Sequence, residues 1–402
     1  MSKTSIITGL DIGTSKIKVL LVSQSKDGKL ELVLKEEENS EGVRRGIIID
    51  PERVSNILKD LFSRISEEVS QKVNSVYVNL GGSHIFCTPS HGLVSVSRAD
   101  QKISEEDINR VLKETEAINL SSNKEIFDVL PKEFIVDGER GIKEPLGLQG
   151  VRLEADVLAL GGFSPYLQNT KKAVLDADLE ILDMVPNPLA AAGAVLTAKQ
   201  KELGVALLDI GAGTTGFAVF EEGNLLHLAV LPVGSNNITN DIVIGLKIDA
   251  EIAERIKIEY GASILKGKNV HQKIDIGEET PLIFSQKFLI KIISDRILEI
   301  FEEANKELKK IGRERKLVGG IVLTGGGAKL AKIAELARDK FHLPSRLGRP
   351  IFSISGLDDD LGLATVCGLV LGGADFEGKT SESKGGLVSK IKKYSKSLFL
   401  NI

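Results

Sequence analysis

The sequence predicts an α/β protein in which one folding unit occurs twice, with an α+β segment inserted into the first copy. The main observation is a repeated motif, Leu-Asp-Ile-Gly-Thr at residues 10–14 and Leu-Asp-Ile-Gly-Ala-Gly-Thr at residues 208–214. In both places an aspartate near the end of an apolar strand precedes a glycine turn, and two further strands joined by a hairpin signal follow. The pattern changes between residues 83 and 160, which indicates the insert. We infer an internal duplication at domain scale.

Composition restricts the class of protein. The chain has 402 residues, of which 42% are hydrophobic and 27% charged, so it is globular and long enough for several domains. A net charge of −4, four tyrosines and no tryptophan argue against a nucleic-acid partner. Cys87 and Cys367 are too few and too far apart for a disulfide framework or a zinc site. No apolar run in the sequence is long enough to span a bilayer.

The sequence of the first copy and its insert contains local signals for strands and for the starts of helices. Strands are predicted over residues 6–12, 16–23, 30–34 and 75–80. Asp50 followed by a proline is typical of a helix start. In the insert, Ser104 with Asp107 three residues later predicts one helix. After the insert, helices are predicted from Ser164 and over residues 188–196, the latter rich in alanine.

The second copy repeats the order of the first. Strands are predicted over residues 203–210, 216–220, 225–231 and 318–324, and helices over 249–260, 285–310 and 328–340. A polar stretch then indicates a linker before a short C-terminal segment. The predicted units are residues 1–82 with 161–200 (first core), 83–160 (insert), 201–238 with 318–374 (second core), 239–317 (helical unit), 375–385 (linker) and 386–402 (terminal helix).

The two glycine turns suggest a phosphate site. Residues 211–216 match G-x-G-x-x-G, but a dinucleotide fold requires a helix next, and here a hairpin follows. Consecutive backbone N–H groups in a glycine turn still form a concavity that binds anions. An aspartate at the root of each turn suits a hydrated Mg²⁺. The alternative is two structural hairpins whose aspartates cap local turns, and the equal spacing in both copies favours the site.

These motifs resemble those of the superfamily that contains actin, heat-shock chaperones and sugar kinases. Residues 9–14 are similar to its first phosphate loop, residues 208–215 to its second, and residues 318–328 to its adenosine motif. Residues 183–196 and 361–373 are similar to its two connecting helices. The five segments occur in the order that this superfamily has.

Within the superfamily, the chain resembles the FtsA family of bacterial cell-division proteins over nearly its whole length. The similar segments are Gly-Val-Arg-Arg-Gly at residues 42–46, Ser-Val-Tyr-Val-Asn-Leu at 75–80, and two segments of the insert at 129–134 and 141–148. The insert lies where that family has its extra subdomain. The resemblance implies an actin-like fold, in which duplicated ribonuclease H-like domains surround a nucleotide cleft.

The resemblance also implies ATP and Mg²⁺ as cofactors and assigns residues to them. The residues expected to bind nucleotide are Gly13, Thr14, Ser15, Lys16, Gly211, Gly213, Thr214, Thr215, Gly234, Glu254, Lys257, Gly325, Gly326 and Gly327. Asp11 and Asp209 are expected to face Mg²⁺ through water. Glu254 and Lys257 would reach the ribose or adenine, although their spacing is also typical of an exposed, charged helix face.

The residue before the first connecting helix differs from the one found in filament ATPases of the MreB type. Filament ATPases of the MreB type place a glutamate before the Pro-Leu-Ala-Ala of the first connecting helix, whereas this chain has Asn187 there. A neutral amide is a poor general base, although it can position water. The sequence therefore predicts an ATP-binding protein with at most weak ATPase activity.

Residues 386–402 show the spacing of a basic amphipathic helix. The apolar positions are Leu387, Ile391, Tyr394, Leu398, Phe399 and Ile402, and the basic positions are Lys390, Lys392, Lys393 and Lys396. Such a segment lies in the membrane interface without spanning it. The alternative is a helix docked on the protein's own core. The polar linker and the lysines favour attachment to anionic lipids.

By resemblance, the expected protein is an ATP-binding scaffold that polymerises and anchors FtsZ at the cytoplasmic face of the cell membrane, as a peripheral protein of the division septum. The FtsZ C-terminal peptide is expected on residues 239–317, which offer Arg255, Lys257, Lys287, Lys291 and Arg296. Other division proteins are expected on residues 83–160. Two alternatives stay open: a PilM-type pilus-assembly scaffold, and a sugar or carboxylate kinase on the same fold.

Overall fold

The computed structural model describes residues 5–25, 28–265, 267–275, 281–351 and 354–381. The first stretch of the first core contains β1 (Ser5–Ile12), β2 (Lys16–Gln24), β3 (Leu30–Asn39), β4 (Val43–Arg44), β5 (Ile47–Ile48), α1 (Pro51–Glu68) and β6 (Ser75–Leu80). Helix α1 begins where predicted because the Asp50 carboxylate accepts a hydrogen bond from the backbone N–H of Arg53. One face of α1 is buried against the sheet.

The insert is an antiparallel sheet covered by one helix. Its elements are β7 (Phe86–Ser95), α2 (Glu105–Thr115), β8 (Lys124–Val136), β9 (Glu139–Ile142) and β10 (Arg152–Phe163), with the strands in the order β7-β10-β8-β9. Ser104 and Asp107 form a reciprocal capping box at the start of α2, as the sequence predicts. The apolar residues Ile108, Val111 and Leu112 of α2 pack in the insert's own core.

The chain then completes the first core and builds the second. These elements are α3 (Ser164–Leu175), β11 (Glu180–Pro186), α4 (Asn187–Val195), α5 (Ala198–Leu203), β12 (Val205–Ile210), β13 (Thr215–Glu221) and β14 (Asn224–Leu231). The helical unit follows with α6 (Ser235–Leu246), α7 (Ala250–Tyr260), β15 (His271–Ile274), β16 (Leu282–Ser285) and α8 (Gln286–Lys310). The last elements are β17 (Ile321–Thr324), α9 (Ile333–Phe341), β18 (Ser345–Leu347), β19 (Ile354–Ser355) and α10 (Ala364–Ser381).

The two large sheets confirm the duplication. Their strand orders are β11-β6-β1-β2-β3-β19 and β14-β13-β12-β17-β18. In each sheet, three consecutive strands pair antiparallel, and the first of them also pairs with a later strand in parallel. Strands β1 and β12 therefore occupy equivalent positions, so their C-terminal aspartates and glycine turns lie at equivalent ends of the two sheets.

Helices α4 and α10 pack together between the two cores. Their closest approach is at Gly368, where an added Cβ would lie 1.8 Å from the carbonyl oxygen of Ala190. Only glycine fits such a contact. Alanines of α4 and apolar residues of α10 belong to one buried cluster that also includes residues from both large sheets. The two connecting helices thus join the halves of the molecule directly beneath the cleft.

Several predicted boundaries differ from the structure, among them the strand predicted over 318–324, which begins at Ile321. The helix predicted over 328–340 is a 3₁₀ turn (Gly326–Lys329) followed by α9, because Lys332 has a left-handed φ of 66° and interrupts the helix. The unit predicted as helical also contains the hairpin β15–β16. Helix α10 continues to Ser381, into the stretch predicted as a linker.

The predicted membrane segment, residues 386–402, lies outside the described residues. Among the helices that the structure describes, none is both long enough and apolar enough to cross a membrane.

Candidate functional site

A cleft of about 750 Å³ lies between the two cores. This volume falls in the range of small-molecule sites. The predicted site residues that line it are Asp11, Gly13, Thr14, Ser15, Lys16, Asn187, Asp209, Gly211, Thr214, Glu254, Lys257, Gly325, Gly326 and Gly327. Residues separated by more than 300 positions in the sequence are thus brought into one concave surface by the duplicated fold.

The two glycine turns have the same internal geometry. The N–H of Gly13 donates to the carbonyl of Lys16 at 3.0 Å, and the N–H of Gly211 donates to the carbonyl of Thr214 at 2.9 Å. An added Cβ would lie 2.7 Å from the Lys16 carbonyl oxygen at Gly13 and 3.0 Å from the Thr214 carbonyl oxygen at Gly211. The repeated sequence motif therefore folds into a repeated turn, and both turns line the cleft.

Three predicted residues are not among those that line the cleft. Gly213 packs against the Thr14 side chain of the opposite turn. Thr215 is fully buried, and its hydroxyl donates to the carbonyl of Val233 at 2.8 Å. Gly234 lies under the second turn, where an added Cβ would be 2.6 Å from the carbonyl oxygen of Ala212. Thr215 and Gly234 thus support the second turn from behind, and Gly213 forms its contact with the first turn.

Asp11 and Asp209 are buried carboxylates at equivalent positions of the two cores. Burial raises the pKa of Asp11, while Lys18, 3.8 Å away, opposes the shift. Burial and the nearby charge of Asp11 raise the pKa of Asp209 to about 6. Two buried carboxylates that disfavour each other's charge fit a hydrated Mg²⁺, because a divalent cation takes oxygen ligands and relieves their repulsion.

Asn79 is a site residue that sequence reasoning did not identify. Its Oδ1 accepts a hydrogen bond from the backbone N–H of Ile12 at 2.7 Å, and its Nδ2 donates to Asp11 Oδ1 at 2.8 Å. The same Nδ2 donates to Asn187 Oδ1 at 3.0 Å. The available signal was one polar residue near the end of the otherwise apolar strand β6. Its importance depends on the parallel pairing of β6 with β1.

Lys18 and Thr365 were also missed. Lys18 donates to the carbonyl of Gly362 at 2.6 Å, which connects β2 to the start of α10 across the cleft. The Thr365 hydroxyl donates to Asp209 Oδ2 at 3.1 Å. Thr365 approaches Asp209 from an element distant in sequence, so no local pattern predicts it. Lys18 lies directly opposite Asp11 in the β1–β2 hairpin, so the register of that hairpin was the available signal.

Glu254 and Lys257 lie at the wall of the cleft formed by α7. Lys257 Nζ donates to Glu254 Oε2 at 2.6 Å and to the Thr239 hydroxyl at 2.9 Å. Lys257 is buried, and burial lowers its pKa while Glu254 opposes that shift. Lys257 therefore holds the more exposed Glu254 carboxylate in place. A carboxylate fixed in this way can accept hydrogen bonds from ribose hydroxyls.

The three glycines after β17 form the opposite wall. Gly325 has a left-handed φ of 86°, and an added Cβ would lie 2.4 Å from Asp209 Oδ1. At Gly327 it would lie 2.5 Å from Ile210 Cγ2, whereas at Gly326 nothing lies within 4 Å. Two of the glycines are therefore required by the fold, and the third leaves open space in the cleft.

Solved structures share this architecture. The fold is similar to that of a PilM-PilN type IV pilus biogenesis complex, with a TM-score of 0.67 and 18% identity over 92% of this chain and 99% of that chain. It is also similar to MreB5 of Spiroplasma citri bound to AMPPNP, with a TM-score of 0.56 and 14% identity over 95% of this chain and 99% of that chain. The chain therefore has the fold of the actin-like ATPases.

Sequence comparison identifies the family within that class. The family model of cell division protein FtsA matches residues 206–368, and that of the SHS2 domain inserted in FtsA matches residues 82–160. FtsA of Pseudomonas aeruginosa is 36% identical over 88% of this chain and 85% of its own length. FtsA of Neisseria meningitidis is 33% identical over 98% of both chains. The chain belongs to the FtsA family of cell division proteins.

Proposed function

We propose that the chain binds ATP with Mg²⁺ in the cleft and hydrolyses it slowly. The observation that supports this most strongly is the pair of equivalent glycine turns with a buried aspartate before each. The N–H groups of the two turns would hold the phosphates, Asp11 and Asp209 would bind a hydrated Mg²⁺, and Glu254 would contact the ribose. Mg²⁺ supplies charge neutralisation of the phosphates when it is bound.

Slow turnover is tested by comparing nucleotide binding with hydrolysis. Asp209→Ala should weaken ATP binding more than Asn187→Ala, because Asp209 is expected at the metal and Asn187 is not. Turnover by the wild type should stay far below the rate of ordinary kinases, on the order of 1–100 per second. Rapid transfer of phosphate to a sugar or carboxylate substrate would contradict this proposal and support the kinase alternative.

We further propose that the chain is a division scaffold whose helical unit, residues 239–317, binds the C-terminal peptide of FtsZ. Ile244 of α6 and Phe288 of α8 are exposed apolar residues, 75% and 45% accessible. Helices α6 and α8 meet there, since an added Cβ at Gly245 would lie 3.6 Å from the Phe288 ring. Lys287 and Lys291 are exposed one turn apart on α8. This surface suits a peptide with apolar and acidic residues.

The other three basic residues expected at this site are engaged elsewhere. Arg296 binds Asp241 and Glu299, and the Arg255 guanidinium donates to the carbonyl of Asp275. Lys257 is buried in the cleft. The peptide site is therefore proposed around Lys287 and Lys291 alone.

Titration with a labelled FtsZ C-terminal peptide tests this placement. Reversing the charges of Lys287 and Lys291 to glutamate should weaken binding by about tenfold. The same reversal of Lys306 and Lys309, exposed on the same helix, is the control and should change affinity little. Resonance shifts confined to residues 83–160 would contradict the proposal.

We also propose that residues 386–402 attach the protein reversibly to the inner face of the cell membrane. The support is the sequence pattern, in which apolar residues share one helix face and lysines suit anionic headgroups. A single short helix binds weakly, so polymers of this chain should bind more tightly through avidity. Deleting residues 386–402 should abolish sedimentation with anionic liposomes and preserve ATP binding. Equal liposome binding by the truncated chain would contradict the tether.

A role in pilus assembly has support only from the fold. The PilM-PilN structure is similar at 18% identity, whereas the FtsA relatives exceed 30% over most of the chain. We therefore favour the division septum, with further division proteins on the insert, residues 83–160. Pull-down with FtsZ and with pilus components separates the two candidates.

A further inference from the structure

The side-chain amide of Asn79 has a single allowed orientation. Its Oδ1 faces the backbone N–H of Ile12, which can only donate, and its Nδ2 faces Asp11 Oδ1, a carboxylate oxygen that accepts when ionised. Turning the amide over would place its NH₂ against an N–H donor and its oxygen against a carboxylate oxygen. The orientation thus follows from the neighbours and is independent of how amide atoms are usually assigned.

The side-chain amide of Asn79 has hydrogen-bond partners for its oxygen and for both hydrogens of its NH₂ group. Asn79 is 3% exposed, and its Nδ2 donates to Asp11 at 2.8 Å and to Asn187 Oδ1 at 3.0 Å. A buried amide left without hydrogen-bond partners would destabilise the folded state strongly. The Asn79 side chain is therefore held in this arrangement.

The orientation of Asn187 follows in turn. Since Asn187 Oδ1 accepts from Asn79, its Nδ2 is on the other side of the amide. In the described part of the chain Nδ2 has no hydrogen-bond partner, and Asn187 lines the cleft. Asn187 is also the first residue of α4, where the helix dipole favours anions. Asn187 therefore presents a hydrogen-bond donor, its NH₂ group, to the cleft.

We propose that Asn79 is a positioning residue that orients the Asn187 amide so that its NH₂ group donates a hydrogen bond toward the phosphates. The Asn187 oxygen is then bound to Asn79, and the attacking water finds no acceptor at this position. This inference rests on the proposed binding of ATP. In hydrolysis the water oxygen bonds to the γ-phosphorus, the bond from γ-phosphorus to the bridging oxygen breaks, and a water proton passes to an acceptor. An NH₂ group accepts no proton, so the arrangement favours retention of ATP over its hydrolysis.

Asn187→Asp tests the proposal with little change in side-chain size. One carboxylate oxygen can still accept from Asn79, and the other faces the cleft as a general base. The single-turnover rate at saturating Mg·ATP should rise by about 10²-fold. Asn240→Asp, which adds the same charge at an exposed position of α6 outside the cleft lining, should leave it unchanged. If Asn187→Asp binds ATP but hydrolyses it at the wild-type rate, the proposal is overturned.

A spectroscopic measurement tests the donor directly, without turnover. With asparagine labelled by ¹⁵N, the side-chain NH₂ resonances of Asn187 should differ between the complexes with ADP and with AMPPNP, because only AMPPNP offers a γ-phosphate. In Asn79→Ala the amide is free to rotate, and this difference should shrink. Identical Asn187 resonances in the two wild-type complexes would overturn the donor role. Failure of the wild type to bind either nucleotide would instead refute the proposed function itself.

Discussion

Thr14 and Gly213 meet across the cleft, so the two glycine turns are in contact. A Cβ added to Gly213 would lie 2.7 Å from Thr14 Oγ1 and 2.8 Å from its Cγ2. The Thr14 hydroxyl cannot turn away freely, because it accepts a hydrogen bond from the N–H of Gly46 at 2.8 Å. The spacing of the two turns is therefore set by the absence of a side chain at position 213.

Gly213→Ala should separate the turns and weaken ATP binding by about tenfold, since the added methyl group overlaps the Thr14 side chain. Thr14→Ala removes the two side-chain atoms that this methyl group meets most closely. In a double-mutant cycle measured by nucleotide titration, the two substitutions should couple by about 1 kcal/mol. Simple additivity of the two losses would contradict direct contact between the turns.

Gly325→Ala should reduce the stability of the fold, whereas Gly326→Ala should reduce the affinity for ATP. At Gly325 the φ of 86° and the contact with Asp209 make a side chain costly, so the free energy of unfolding should fall by about 1–3 kcal/mol. Gly326 has open space, so its alanine variant should fold normally and lose ATP affinity as the methyl group enters the cleft. Chemical denaturation with nucleotide titration measures both. If the Gly326→Ala protein binds ATP with wild-type affinity, the nucleotide does not contact the wall formed by Gly325, Gly326 and Gly327.

The charge of Asp209 should destabilise the nucleotide-free protein at neutral pH. Its pKa is about 6 in the fold against an ordinary 3.8, so the folded state binds more protons than the unfolded state between these values. Stability should therefore fall as pH rises from about 4 to about 6, by up to about 3 kcal/mol.

Asp209→Asn removes this penalty, so it should be more stable than the wild type at about pH 7.5 and similar at about pH 4. Urea denaturation of both proteins at the two pH values provides the comparison. An equal change of stability with pH in both proteins would show that Asp209 does not titrate as described.

His227 joins three parts of the molecule. Its Nδ1 lies 3.5 Å from Cys87 Sγ of the insert, and its Nε2 lies 2.8 Å from Glu307 Oε2 of α8. His227→Leu should loosen the insert from the second core, at a cost of about 1 kcal/mol. Amide hydrogen exchange in β7 and β14 should accelerate. His271→Ala, an exposed histidine of β15, is the control. Unchanged exchange in β7 would contradict this role.

The duplicated turns could be predicted from sequence because each is a local device. The aspartate, the glycine and the strand that follows are contiguous at both Asp11 and Asp209, and the structure brings the two copies together. Helix α2 could be predicted for the same reason, since Ser104 and Asp107 form its capping box within one turn.

The remaining site residues depend on tertiary pairing. Asn79 reaches Asp11 only because β6 pairs with β1, and Thr365 reaches Asp209 only because the first turn of α10 lies at the end of β12. The helix predicted over 328–340 was wrong at its start because apolar spacing does not reveal the left-handed backbone at Lys332. Local pattern thus predicts the turns, and the packing of distant elements completes the cleft.

The Mg²⁺ dependence of ATP binding, measured by calorimetric titration with Mg²⁺ and with a chelator, tests the role of the two buried aspartates. The wild type should bind ATP much more tightly with Mg²⁺, and Asp209→Asn should lose most of that difference, since one of the two buried carboxylates is gone. Asp358→Asn, which removes a carboxylate that is 88% exposed, should behave as the wild type. An Asp209→Asn protein with the wild-type affinity and the wild-type Mg²⁺ dependence would contradict the account.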